Sequence, residues 1–292
     1  MNFRVFITFD IDLGTKEEME FIHKLLSPFL RENNIRATWF IRLDKKIETD
    51  FGEPDFLFKE YENLITKLLD EGHAIGWHPH IYTFINGRYE QSTYEDEILQ
   101  ELEYLLPYVR KYNINIVRMG WGFQTNRIMK FLDDSNFVID SSAIPRQVYT
   151  WDQTKKDWSI TGLYPYHPSI LDYRIPSNDP LYALKILEVP ITTMKIETPY
   201  DTEKDVIRYC NLSYYSNFLE KPLEHWIREN DFLVTITHPY ELSRNFNQGH
   251  QLISFSLSEF SKNISLLTKI AKIYNKNVSF ETLSEILDYE KS

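Results

Sequence analysis

Val5-Phe6-Ile7-Thr8-Phe9 is a short apolar run that ends on Asp10-Ile11-Asp12, and the same order of apolar run and then ionisable residue recurs along the chain. Ala74-Ile75-Gly76-Trp77 leads to His78 and His80, and Ile114-Asn115-Ile116-Val117 leads to Arg118. Phe137-Val138-Ile139 leads to Asp140, and Phe232-Leu233-Val234-Thr235-Ile236-Thr237 leads to His238. Runs of this kind, alternating with amphipathic stretches of helical period, read as buried parallel strands joined by helices. In α/β barrels the active site is built where the carboxyl ends of the strands converge, so these scattered groups are expected to form one site.

The intervening segments carry helix signals. Thr15-x-x-Glu18, Ser92-x-x-Glu95 and Ser256-x-x-Glu259 are capping-box signatures, and Met19, Ile22, Leu25, Leu26 and Phe29 follow the first at helical spacing. Further helices are predicted over about 55–71, ending at Gly72, and near 125–135. Strands are predicted at Arg4–Phe9, Arg36–Ile41, His73–Trp77, Ile114–Met119, Phe137–Ile139, Leu187–Ile191 and Phe232–Thr237, with a further one at Val278–Phe280. No Gly-x-Gly-x-x-Gly turn follows the first strand, which favours a closed α/β barrel over an open doubly wound sheet. The exception to the alternation is about 142–185, which is aromatic, rich in proline and without clear period. A segment of that length reads as a cap over the barrel mouth. The expected organisation is a single domain over 1–292 with that insertion.

Composition narrows the function classes. A net charge of −11 argues against generic nucleic-acid or anionic-membrane binding. No apolar stretch is long enough to insert in a membrane, and Met1-Asn2-Phe3-Arg4 runs into a strand without the features of a signal peptide, so a cytoplasmic location is expected. The single cysteine, Cys210, excludes an internal disulfide and reads as a packing residue. Phe, Trp and Tyr make up 15% of the chain, more than a core alone takes up. The surplus suits either rings stacked on sugar faces or a homo-oligomer interface.

The polar clusters point to a metal. Side chains alternate along a strand, so Asp10 and Asp12 share a face, as do His78 and His80 if that segment stays extended, which Pro79 favours. An Asp with two His and an open position suits a catalytic divalent ion. An Asp-x-Asp after a strand also serves as a turn or cap, and His73, His23 and His225 read as structural.

Thr8-Phe9-Asp10-Ile11-Asp12, Ala37-Thr38-Trp39-Phe40, Gly72-His73-Ala74-Ile75-Gly76-Trp77-His78, Arg118-Met119-Gly120-Trp121-Gly122, Asp140-Ser141-Ser142 and Thr237-His238-Pro239 resemble, in this order, the successive motifs of the NodB-homology polysaccharide deacetylases. The resemblance spans residue 3 to about 242, and its specificity lies in the order of the motifs. It implies a distorted (β/α)7 barrel and a metal-dependent hydrolase that removes N- or O-acyl groups from sugars. By position it implies Asp10 as catalytic base, Asp12 and His78 as metal ligands, Arg118 as the residue orienting the base, and His238 as general acid. The chain departs from the family in two places. Ile11 separates two aspartates that are usually adjacent, so base and ligand stay exchangeable between Asp10 and Asp12. The second metal histidine usually lies four positions after the first, where this chain has Tyr82, and His80 is the expected replacement.

The implied cofactor is zinc, with cobalt, nickel or manganese as alternatives. The implied partner is an acylated sugar, a cytoplasmic intermediate of surface-polysaccharide synthesis, with Trp121, Asp140, Tyr166, His167, Asp172 and Arg174 as candidate substrate-binding residues and Trp151 and Trp158 as further rings of the cap. An amide hydrolase acting on a non-sugar, and an inactive carbohydrate-binding barrel, are the competing readings.

Overall fold

The first apolar run is β1, Asn2–Ile11, in a computed structural model that describes residues 2–85, 88–151, 154–247 and 249–288. The strands that follow are β2 (Ala37–Ile41), β3 (Ala74–Trp77), β4 (Ile116–Val117), β5 (Ile139–Asp140), β6 (Leu187–Glu188), β7 (Phe232–Val234) and β8 (Asn277–Phe280). They form one sheet in the order β6-β5-β4-β3-β2-β1-β7, with β8 also on β1. The pairs β1–β7, β1–β8, β3–β4, β4–β5 and β5–β6 are parallel. This curled parallel sheet with its surrounding helices is the expected distorted (β/α) barrel. Every residue of β2 and nearly all of β1 is buried, which is why these strands read as continuous apolar runs without alternation.

Several local expectations need correction. The first helix is Lys16–Phe21, a π-turn at Ile22–Leu26, and Ser27–Glu32. The wider turn breaks the 3.6-residue period, so Met19, Ile22 and Leu26 are buried while Leu25 is 54% exposed. The helix expected over 55–71 is two, Phe56–Glu60 and Glu62–Asp70, and a further helix, Lys45–Phe51, precedes them. Asp44 caps that one by accepting from the Lys46 and Ile47 amides, each at 3.0 Å. The capping boxes are half formed. Thr15 and Ser256 accept from the amides of Glu18 and Glu259, but those carboxylates go to the amides of Gly14 and Ser216. Ser92 caps no helix, since the helix Glu95–Lys111 starts beyond Tyr94. The 142–185 segment contains an antiparallel hairpin, Val148–Trp151 with Thr154–Asp157, whose strands are too short to show a period in the sequence.

The chain divides into two compact units. One comprises 1–39, 67–74 and 192–292, the other 40–66 and 75–191. In the first, Phe9 stacks on Trp39 with ring centroids 4.5 Å apart and also meets Phe260. In the second, Trp77 stacks on Phe137 at 5.6 Å. Cys210 is buried in the first unit, and burial pushes its thiol up to about 12, in keeping with a packing role. Among the described residues no helix is long and apolar enough to cross a membrane.

Trp39 has no exposed surface, and its indole N–H has no hydrogen-bond partner among the described residues. Trp39→Ala should cost about 3–5 kcal/mol through the cavity it leaves. Trp39→Phe should cost clearly less, because it keeps the ring against Phe9 and removes an unsatisfied donor. Urea denaturation midpoints of the two variants check the ranking.

Candidate active site

The parallel bridge between Phe9 and Thr237, with the Asp10 amide donating to the Thr237 carbonyl at 3.2 Å, places Asp10 and His238 at the carboxyl ends of adjacent chain segments. Asp10 is buried. His238 Nε2 lies 3.3 Å from Asp12, and His238 Nδ1 lies 3.2 Å from Glu241, an ion-pair contact rather than a well-aligned hydrogen bond. Glu241 sits on the single turn Pro239–Leu242. Its other oxygen accepts from Asn211 Nδ2 at 2.7 Å, Ser213 Oγ at 3.1 Å and the His238 amide at 3.1 Å. Burial alone would lower the His238 pKa, but the carboxylates of Glu241 and Asp12 outweigh it and hold the imidazole well above its ordinary range. Burial pushes Glu241 up, yet His238 and Asn211 bring it below the usual carboxylate range. The pair is therefore an imidazolium held by a carboxylate.

Glu18 lies close enough to Asp12 and His238 to feel both charges. It has no exposed surface, one oxygen accepts from the Gly14 amide at 2.9 Å, and the other has no partner among the described residues. Burial pushes its pKa up to about 8, so it is a neutral acid at physiological pH.

In the second unit, β3 delivers His78 and His80. The His78 amide donates to the Ile41 carbonyl at 3.0 Å, and the Pro79 carbonyl accepts from the Gly120 amide at 2.8 Å, so the His-Pro-His segment is fixed by its backbone. His78 Nδ1 lies 2.7 Å from the Arg118 carbonyl. A carbonyl only accepts, so Nδ1 carries the proton and Nε2 presents its lone pair. The two Nε2 atoms, of His78 and His80, approach to 3.0 Å. Arg118 is buried beside them. It donates to the Ser141 carbonyl at 2.7 Å and to Ser141 Oγ at 2.9 Å, with its guanidinium over the Phe40 ring at 4.2 Å.

Behind these lies a pair of buried carboxyls. Asp140 and Glu188 are register partners of β5 and β6, and both have no exposed surface. Asp140 accepts from Gln124 at 2.7 Å and from Ser142, and Glu188 accepts from the Ala143 amide at 3.0 Å. Burial raises both, Glu188 strongly. The pair accordingly keeps a proton. Asp140, expected in the substrate wall, is thus part of the frame.

The cap residues look inward as well. Tyr166 is 7% exposed and donates its hydroxyl to the Tyr173 carbonyl, and His167 Nδ1 bonds the Ile186 carbonyl at 3.1 Å. Arg174 forks onto Asp172 at 2.9 and 2.8 Å and also pairs with Asp157. Trp158 is fully buried, its indole donating to the Gly122 carbonyl at 2.8 Å. The Trp151 side chain lies outside the described residues. Tyr166, His167, Asp172 and Arg174, expected to hold substrate, have their polar groups engaged within the segment. Trp121 is partly exposed, with φ 53°, and stands against His80.

Among the described residues, Asp12, His78 and His80 carry the donor set of a metal site, one carboxylate and two imidazoles. Residues 2–138 match the family model described as polysaccharide deacetylase. The match covers a little under half of the chain, which over those residues is similar to that family.

Among solved structures, the chain shares its fold with two proteins of low identity. One is provisionally assigned as a polysaccharide deacetylase, from Mycobacterium smegmatis, at 14% identity and a TM-score of 0.54, covering 99% of this chain and 90% of the other. The second is provisionally assigned as a glycoside hydrolase/deacetylase, from Parabacteroides distasonis, at 11% identity and a TM-score of 0.64, covering 99% and 72%. No curated protein matches the sequence significantly. Glu241 was not foreseen, although its place three residues after His238 is the available signal. Glu18 was read only as a capping residue.

A carboxyl whose folded pKa is raised above its unfolded value binds more protons when folded, so its contribution falls as pH rises through the interval between the two. For Glu18 that interval runs from 4.5 to about 8. Glu18→Gln should be increasingly more stable than the parent as pH rises across it. Chemical denaturation at several pH values reads the slope, and parallel curves would refute the assignment.

Proposed function

We propose that the protein is a divalent-metal-dependent hydrolase that removes the acetyl group from an N-acetylated sugar. The observation that carries this reading is the His78–His80 pair, with Nε2 atoms at 3.0 Å and the His78 tautomer set by the Arg118 carbonyl. Two imidazoles bound tetrahedrally at about 2.0–2.1 Å would sit a little over 3 Å apart, so the pair is nearly preformed for one ion. Asp12 adds the oxygen ligand. The donor set, one carboxylate and two neutral imidazoles, suits zinc first, with cobalt, nickel and manganese as alternatives.

A divalent ion held there supplies a polarised acyl carbonyl and a water of lowered pKa. The protein's own groups move the protons. Asp10, buried at the carboxyl end of β1, is the base that takes the proton of the attacking water. Arg118, held by Ser141 and over the Phe40 ring, is the residue that the order of motifs assigns to orienting the base. His238, kept as imidazolium by Glu241, gives its proton to the sugar nitrogen as the carbon–nitrogen bond breaks. Water oxygen joins the acyl carbon, acetate departs, and the free amine remains.

His78→Ala should abolish stoichiometric metal while leaving the far-ultraviolet circular dichroism unchanged. Elemental analysis of the purified variant decides the assignment, and unaltered metal content would sink it. Asp10→Asn and His238→Ala should each reduce turnover by at least about a hundredfold and keep the metal. Loss of metal in the Asp10 variant would exchange the roles of the two carboxylates. Acetate release across a panel of N-acetylated sugars and non-sugar amides tests the substrate class.

A further inference from the structure

Tyr82 and Trp121 enclose His80 on two sides. Tyr82 stacks on the imidazole with centroids 5.6 Å apart and planes at 20°, and Trp121 meets it edge-on at 4.7 Å and 73°. The two aromatic rings also touch each other, at 5.1 Å and 85°, so the three form a closed cluster. Gly120 completes the enclosure. A Cβ there would stand 2.6 Å from the His80 ring, so only glycine lets the ring lie against the backbone. Trp121, the next residue, holds φ 53°, a region that side-chain-bearing residues rarely occupy and that clusters at functional sites. Tyr82 also lies under the Arg42 guanidinium at 5.5 Å, and Arg42 is locked bidentately to buried Asp44. The same Asp44 accepts from the His80 amide at 3.4 Å.

An imidazole on a His-x-His segment has two χ angles to lose before it ligates. In this cluster the Gly120 backbone, the Tyr82 face and the Trp121 edge have already set them, with Nε2 aimed at its His78 counterpart. We infer that Tyr82 and Trp121 are positioning residues: an aromatic clamp, seated over Gly120, that holds His80 in the orientation of a metal ligand. The inference rests on the metal reading above. It makes Trp121 part of the metal centre's support rather than of a sugar wall, and it gives Tyr82 a task that needs its ring and not its hydroxyl.

The test is a competition titration of the metal-stripped protein with Zn²⁺ against a chromophoric chelator, together with KM for the best acetylated sugar. Both rings are partly exposed, so leucine at either place leaves the buried core intact. Tyr82→Leu and Trp121→Leu should each raise the Zn²⁺ Kd by about 10–100-fold, the usual effect of losing a group that orients a ligand. Tyr82→Phe should bind like the parent, and His80→Ala should bind worse than any of them. A parent-like Kd in both leucine variants with a raised KM would make the rings a substrate wall and overturn the clamp while leaving the metal site standing. A parent-like Kd in His80→Ala would overturn it as well, by removing His80 from the ligand set. A parent protein that binds no Zn²⁺ would overturn the metal reading itself.

Discussion

Parallel pairing of β1 with β7 is the constraint on which the proposed site depends. The register runs Arg4 with Phe232, Val5 with Leu233 and Phe6 with Val234, and a last bridge joins Phe9 and Thr237. From Val5 and Leu233 up to that bridge the two segments are buried and carry no charged residue. One residue later Asp10 and His238 emerge together. A slip of one position would turn either residue to the opposite face. The juxtaposition of Asp10 and His238 is thus a consequence of strand register, which the apolar packing of Phe6, Phe9, Val234 and their neighbours enforces.

Burial then gives similar groups different protonation states. Glu241 and Glu18 are both fully buried glutamates in the first unit. Glu241 has an imidazolium, an amide side chain, a hydroxyl and a backbone N–H around its oxygens, and it stays ionised. Glu18 has one backbone N–H, and burial keeps its proton on. In the second unit Asp140 and Glu188 face each other across adjacent strands, where two buried negative charges would repel in a low dielectric, and the pair retains a proton instead. Desolvation sets the direction in each case, and the number of donors within reach decides whether it wins.

Much of this was legible in the sequence. Apolar runs ending in Asp10, His78, Arg118, Asp140 and His238 give the strands and the chemistry at their ends, because strands buried on both faces exclude charge until they emerge. The single cysteine reads as a packing residue and His73, at a strand's start, as structural; Cys210 is buried, and His73 Nδ1 accepts from the Ala37 amide at 3.0 Å. The capping signatures located helix starts, yet Glu18 and Glu259 turned to other amides. Their partners, Gly14 and Ser216, depend on how the chain folds back, and a local pattern cannot encode that choice.

The order of strands along the chain, the apolar faces and the residue types of the proposed site are properties the sequence determined by itself, since they follow from local period and motif order. Tertiary structure decided which oxygen or nitrogen each group faces. It paired Glu241 with His238, buried Asp140 beside Glu188, set the His78 tautomer through a carbonyl forty residues away, and turned Tyr82 and Trp121 onto His80. Those outcomes depend on distances of a few ångströms between segments far apart in the chain. Desolvation and hydrogen-bond energies change by several kcal/mol over such distances.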